Sequence, residues 1–319
     1  MKHTFMLVML ALMFIICSCS SQGTMEEADN EYVEKVYVRM DPLEEEVESS
    51  SRVVPEKVGT QLSYPWELND TLGIFPSKGG QVEFVISEKD AGKTTAAFDG
   101  GGWALRNSYT YSAYYPFNFY NRNSKAIPFS YIGQVQTGNN NRSHLRNYYV
   151  STAAPTIVEN NQLFFNLVHV GSILNLKLIM SEPNTYSSVT VFTEGKVIPI
   201  KKTVNLQDNE LTQTVIEYSD RVSIGLKNIK TTSANDTIHV WMAFPSMAQS
   251  SYPLKVAVYD SEGFPYVANI TKLNGDQAYA SFTKHKWQER KAHPVLKEGF
   301  NINVGGWGNN NEDYGGSAQ

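Results

Sequence analysis

Beyond residue 19 the chain has no cysteine, because its two cysteines, Cys17 and Cys19, both fall near the start. A disulfide framework is excluded for the folded part, and so are a thiolate metal site and a cysteine nucleophile. Charge is also sparse. Charged residues make up 18% of the 319 positions, with 27 lysines and arginines against 32 acidic residues and a formal net charge of -5. That balance lacks the basic footprint of a nucleic-acid binder. Long apolar runs are missing after residues 5–16, so no later segment reaches spanning length. Catalytic signatures are missing as well. There is no Gly-x-Ser-x-Gly elbow, and Gly100-Gly101-Gly102 is not followed by a lysine and a helix, which makes it a turn rather than a phosphate loop. The histidines His144, His169, His239, His285 and His293 are scattered. Only His285 and His293 are near one another, flanked by lysine and arginine rather than by carboxylates, a poor zinc site. The acidic stretches at 205–210 and 309–313 lack the spacing of a calcium loop. The expectation is a protein that is not an enzyme and needs no cofactor or metal.

What is present starts at the N-terminus. Lys2 and His3 precede the apolar run at 5–16, which has the length and place of a secretory signal. The run ends in Ile16-Cys17-Ser18-Cys19, which resembles a bacterial lipobox: a branched residue three positions before the modified cysteine and a small one just before it. Cys19 fits and Cys17 does not, since Cys17 would place the bulky Ile16 at the cleavage position. Residues 1–18 are expected to leave as a lipoprotein signal peptide and Cys19 to carry acyl chains that hold the chain to a membrane. An ordinary cleaved signal peptide with two incidental cysteines is the alternative.

Aromatic residues reach 12%, with 18 tyrosines and 15 phenylalanines, a profile suited to strands with one buried face. Residues 19–31 are small, polar and acidic and read as a flexible tether. Residues 33–40 alternate for part of their length and predict a first strand, with Val33, Val36 and Val38 as its apolar positions. The acidic, then serine-rich stretch at 41–52 is expected to be exposed and poorly ordered, ending in Arg52. Strands are predicted at 72–76, 81–86, 109–116, 162–170, 173–179, 188–192, 221–226, 237–244, 254–259 and 300–304, with a long loop at 133–146. The stretch 283–297 offers the best chance of a short helix. Many short strands divided by turns predict an all-β protein of two tandem sandwiches, residues 32–159 and 160–307, followed by a Gly/Asn tail at 308–319.

Trp66-Glu67-Leu68-Asn69-Asp70-Thr71-Leu72-Gly73-Ile74-Phe75 follows the leader, strand and arginine-ended linker. Together with Tyr114-Tyr115-Pro116, the run from Leu163 to His169 and a closing strand ending at Trp307, this order of segments resembles the fimbrillin family of Gram-negative anaerobic bacteria. The likeness covers nearly the whole chain after the signal. It implies transthyretin-like β-sandwich domains and a subunit of lipoprotein-derived surface fimbriae serving cell adhesion. Such subunits reach the outer membrane as lipoproteins. An arginine-specific protease then removes the first strand, and a strand from a neighbouring subunit fills the groove. Carried onto this chain, the resemblance implies cleavage at Arg52, with Arg39 as runner-up, and a donor strand at Phe300, Ile302 and Val304. The implied partners are other fimbrial subunits, the outer membrane through the lipid, and an unidentified host or bacterial surface ligand. The Gly/Asn-rich tail offers few apolar side chains to fill a groove, which departs from a strongly polymerising subunit.

A second reading is a non-polymerising outer-membrane lipoprotein that binds glycans through exposed aromatics. Trp103, Trp241 and Trp287 are either core or binding platform on this reading, and buried rings would favour the polymer subunit. The cluster Tyr109, Tyr111, Tyr114, Tyr115, Phe117, Phe119 and Tyr120 alternates up to Pro116, which predicts that one face packs inward.

Overall fold

A computed structural model of the chain describes residues 31–46 and 61–296. In chain order the first strands are β1 (Lys35–Met40), β2 (Leu43–Glu45), β3 (Gln61–Leu62), β4 (Thr71–Pro76), β5 (Val82–Ile86), β6 (Thr95–Asp99) and β7 (Tyr111–Tyr115). The middle of the chain adds β8 (Ile127–Ser130), β9 (Gln134–Thr137), β10 (Ser151–Thr156), β11 (Gln162–His169), β12 (Ser172–Ile179), β13 (Thr185–Phe192) and β14 (Ile198–Val204). The last are β15 (Gln213–Ser219), β16 (Arg221–Lys230), β17 (Thr237–Phe244), β18 (Lys255–Asp260), β19 (Pro265–Asn269), β20 (Lys286–Ala292) and β21 (Val295–Leu296). Two short 3-10 turns, Glu88–Asp90 and Ser143–Tyr148, complete the elements. The fold is all-β, as composition and patterning predict. Among the described residues no helix is long and apolar enough to cross a membrane.

Seven strands close into a barrel in the order β1-β11-β10-β7-β4-β5-β6. The remaining strands form a five-stranded sheet β17-β12-β20-β2-β3, a six-stranded sheet β21-β19-β18-β13-β16-β9 and a three-stranded sheet β15-β14-β8. Pairing crosses residue 160 in both directions: β11 joins β1 and β10 in the barrel, whereas β8 and β9 join β14 and β16. One connected apolar core runs through all four sheets.

Three stretches differ from the sequence-based expectation. Within 41–52, taken as exposed linker, Leu43 is fully buried and β2 pairs in parallel with β20; a single apolar residue beside a glutamate run is enough when two sheets meet there. Within 283–297 the chain is strand β20, held between β12 and β2, so sheet pairing overrides the weak helical tendency. The stretch 133–146 contains β9 and the Ser143–Tyr148 turn rather than an open loop.

That last stretch closes a sheet edge. β17 is the terminal strand of its sheet, with β12 on one side only. Gln134 and Gln136, two apart on β9 and fully buried, turn their side-chain amides toward the other side of β17. Gln134 Nε2 donates to the Ala243 carbonyl (2.8 Å) while its Oε1 accepts from the Ala243 N–H (2.7 Å). Gln136 likewise serves the His239 carbonyl and the Trp241 N–H, both at 2.8 Å. Asn139 serves the Thr237 carbonyl (3.2 Å) and the His239 N–H (2.8 Å), and His144 Nε2 donates to the Trp241 carbonyl at 2.9 Å. Because a carbonyl only accepts, Nε2 carries the His144 proton. Side-chain amides thus take the place of a neighbouring strand.

Candidate strand-exchange site

β1 lies between two barrel strands, parallel to β11 over six residue pairs from Lys35↔Gln162 to Met40↔Leu167 and antiparallel to β6 from Val36↔Phe98 to Arg39↔Thr95. Alternation decides which side chains face in. Val36, Val38 and Met40 are buried in the barrel, with Val33 packed at its entrance. Each buried side chain of this size contributes roughly 1.5–3 kcal/mol relative to exposure. The ends are held by backbone bonds, Val33 N–H to the Leu105 carbonyl and Glu34 N–H to the Asn161 carbonyl at 2.8 Å each, and Asp41 N–H to the Leu167 carbonyl at 3.1 Å. A small cavity of about 240 Å³ opens beside the N-terminal end, lined by Val33, Val36, Phe84, Phe98, Trp103 and Leu105 among others.

The sequence segment from Trp66 to Asp70 is the staple that positions this strand. Trp66 is fully buried, its ring edge-on to Phe98 (4.9 Å) and Tyr115 (5.2 Å), and its Nε1 donates to the Val38 carbonyl at 3.2 Å. Asp70 accepts from the Glu67 N–H (2.7 Å), from the Tyr115 hydroxyl (2.9 Å) and from Arg146 Nη1 (2.6 Å). Arg146 also reaches the Pro65 carbonyl at 2.7 Å. A buried indole on one side and a three-way carboxylate hub on the other fix the chain next to β1.

Arg39 points outward from β1. Its Nε donates to Asn166 Oδ1 at 2.9 Å and its Nη2 pairs with Asp41 at 3.0 Å. The peptide bonds around it lie inside the ladder to β6 and β11, so a protease cut there requires the strand to be pulled out first. C-terminal to it, β2 ties the same segment to the second sheet through buried Leu43, and Glu44 pairs with Lys286. Residues 35–46 therefore stitch two sheets together.

At the far end of β11, His169 is fully buried. It stacks on Tyr149 (4.3 Å, 6°), its backbone N–H donates to His285 Nδ1 at 3.1 Å, and its own Nδ1 lies 3.0 Å from the Val150 carbonyl. Burial pushes its pKa down to about 3, so it is neutral. His285, which Asp41, Glu44 and Lys286 surround at longer range, is also shifted down, again mainly by burial.

Of the residues singled out from sequence, Val36, Val38 and Arg39 lie on this one strand and Val33 just precedes it. Cys19, Arg52, Phe300, Ile302 and Val304 lie outside the described residues. The last described strand, β21, is an edge strand paired with β19, its two side chains exposed. Trp241 and Trp287 are buried, their rings 5.9 Å apart, whereas Trp103 is 66% exposed. Tyr111, Tyr114 and Tyr115 are buried, whereas Phe119 and Tyr120 are exposed. Sequence reading missed the paired glutamines of β9, although their spacing of two, on an otherwise turn-rich stretch, is a strand signal.

No protein-family model and no curated protein matches this chain. Solved structures do resemble it. A candidate cell adhesion protein of Bacteroides ovatus is 12% identical, with a TM-score of 0.47 over 78% of this chain and 96% of that one. Another from Bacteroides uniformis is 10% identical, with a TM-score of 0.45 over 73% and 93%. The fimbrial anchor protein Mfa2 from Porphyromonas gingivalis is 11% identical, with a TM-score of 0.29 over 76% and 79%.

Proposed function

We propose that this chain is a structural or accessory subunit of lipoprotein-derived surface fimbriae, carried to the outer membrane on an acylated Cys19 and assembled by exchange of β1 for a strand of a neighbouring subunit. The observation that carries the reading is the position of β1. It is the first described strand, it is bonded on both sides, and it delivers Val36, Val38 and Met40 to the barrel core. Removing it leaves β6 and β11 with unpaired N–H and C=O groups around an apolar groove, the arrangement that β-augmentation fills. Until then the strand covers an edge that would otherwise aggregate.

Cleavage is assigned to Arg52 rather than to Arg39, because Arg39 sits inside a double ladder. A cut after Arg52 releases β1 and β2 together, which frees a strip of β20 as well as the barrel groove. The donor is assigned to Phe300, Ile302 and Val304, which follow the edge strand β21. The biological output is adhesion, with other fimbrial subunits as partners.

Electron microscopy of cells with and without the protein, paired with N-terminal sequencing of the surface form, tests the reading. Fibres that depend on the protein and a mature chain beginning at Val53 are expected. Cys19-lipidated full-length chain as the sole surface species, with no fibres, would overturn it.

A further inference from the structure

The outer face of the barrel carries a cleft whose lining differs from the surface around it. Along β5 the side chains of Phe84 and Ile86 point into the barrel and that of Glu83 points out. On the same outer face the Tyr114 ring lies across Gly73, so closely that a Cβ there would sit 2.2 Å from the ring. Gly73 is required for that approach. The Tyr114 hydroxyl meets Gln81 Oε1 at 2.7 Å and accepts from the Asn118 N–H at 3.1 Å. Gln81 Nε2 in turn donates to the carbonyls of Asn118 (3.0 Å) and Phe119 (3.1 Å). These bonds pin the segment after β7 over the barrel and hold its next side chains outward.

Phe119 is 60% exposed and Tyr120 84% exposed, with the rings edge-on at 5.8 Å. The Arg122 guanidinium lies over the Phe119 ring at 4.4 Å and fixes its plane. Across from them stands Trp103, on the turn after β6, where its N–H donates to the Gly100 carbonyl at 3.2 Å. Between the two sides is a cleft of about 370 Å³, lined by Gln81, Glu83, Trp103, Phe117, Phe119 and Arg122. That volume falls within the ~300–1,000 Å³ range of small-ligand sites. Glu83 and Arg122 form no ion pair among the described residues, with each other or with a third group.

Flat aromatic faces alone would suit any apolar partner; here they alternate with a carboxylate and a guanidinium, neither of which forms an ion pair among the described residues. A pyranose ring has the matching form, one face of C–H groups to lie against an indole or phenyl plane and a rim of hydroxyls for planar charged side chains. A free anion or cation is disfavoured because both signs are present. A second copy of the chain is disfavoured by size, since a stable interface covers roughly 800 Å² on each partner and this cleft is a single concavity. We propose that the cleft is a saccharide-binding site for a neutral hexose or N-acetylhexosamine unit, with Trp103 and Phe119 as stacking platforms and Glu83 and Arg122 as hydroxyl partners.

The test is titration of the full-length protein with trisaccharides of glucose, galactose, mannose and N-acetylglucosamine, followed by tryptophan fluorescence and saturation-transfer NMR. At least one of these sugars should saturate the protein, with affinity reduced about tenfold or more in Trp103→Ala and Phe119→Ala and unchanged in Leu273→Ala, an exposed apolar residue elsewhere. Both rings lie outside the core, so the thermal midpoint of each variant should match the parent. Absence of saturation with all four sugars, or binding that survives Trp103→Ala, would overturn the proposal. So would concentration-dependent dimers abolished by Trp103→Ala with no sugar bound, which would assign the cleft to a second copy.

Discussion

Two strand edges in this molecule are closed by opposite means. Along β17 the unpaired backbone groups are met by side chains of Gln134, Gln136, Asn139 and His144, all from one stretch in the interior of the sequence. Between β6 and β11 the same need is met by a whole strand, β1, that belongs to the N-terminal segment. The first closure cannot be handed to another molecule, because each amide is tethered at both ends by the chain and fits one backbone position. On the proposed reading the second can, since a strand pairs through backbone groups that any extended segment possesses, and only the inward positions of Val36, Val38 and Met40 demand particular side chains. The glutamines of β9 close β17 from within the chain, whereas β21 remains an edge with both side chains exposed.

The most damaging change to the exchangeable side is Val38→Asp. It places a carboxylate at a fully buried position of the barrel and should destabilise the full-length chain by more than about 4 kcal/mol in urea unfolding. Hydrogen exchange should show the backbone amides of His239, Trp241 and Ala243 still protected while those along β6 and β11 open. Simultaneous loss of both would erase the distinction between the two edges.

Gln136→Leu attacks the sealed side. The substitution keeps the bulk but strands the His239 carbonyl and the Trp241 N–H, two buried backbone groups worth about 2–4 kcal/mol together. Light scattering should then detect association through β17 that the parent protein lacks. A variant as stable and as monomeric as the parent would mean that the amide ladder is ornamental.

Acid provides a smaller and graded test. His169 closes β11, the partner of β1, and its pKa of about 3 lies below the ordinary value of about 6.5. Between those values the unfolded chain binds a proton that the native chain does not, so stability is fully present above pH ~6.5 and falls as the pH drops toward 3. The slope from this one group is on the order of 1 kcal/mol per pH unit. His169→Phe, which keeps the stack on Tyr149, should flatten that part of the curve relative to the parent at the same pH values. An unchanged slope would transfer the acid sensitivity to the half-buried histidines His285 and His144, both of which desolvation also shifts down.

Strand β1 was readable from sequence because it is written in alternation. Val36, Val38 and Met40 are spaced by two, and their register needs no knowledge of the partner strands. The sealed edge was hidden because its meaning lies in amide groups that compose a loop signature, Gln134 to Asn141, until a strand is placed 2.8 Å away. β2 and β20 escaped notice for a related reason. Glu44, Lys286 and Arg290 make their segments look solvated, yet these strands run side by side and bury Leu43 and Trp287. The Trp66 to Asp70 segment was visible as a motif but not as a device. Its indole bond to Val38 and its carboxylate hub depend on residues as distant as Arg146. The aromatic run split in two where alternation stopped: Tyr111 and Tyr115 entered the barrel, whereas Phe119 and Tyr120 remained outside with Trp103.

The most direct measurement is strand replacement in vitro. Full-length protein cut by an arginine-specific protease after Arg52 is incubated with a fluorescent peptide of residues 31–46 and with its Val38→Asp counterpart, and binding is followed by anisotropy. Exchangeability of β1 predicts saturable binding of the parent peptide, little or none of the substituted one, and loss of self-made ladders on gels as the peptide fills the groove. Cut protein that unfolds, or that binds neither peptide while remaining folded, would contradict it.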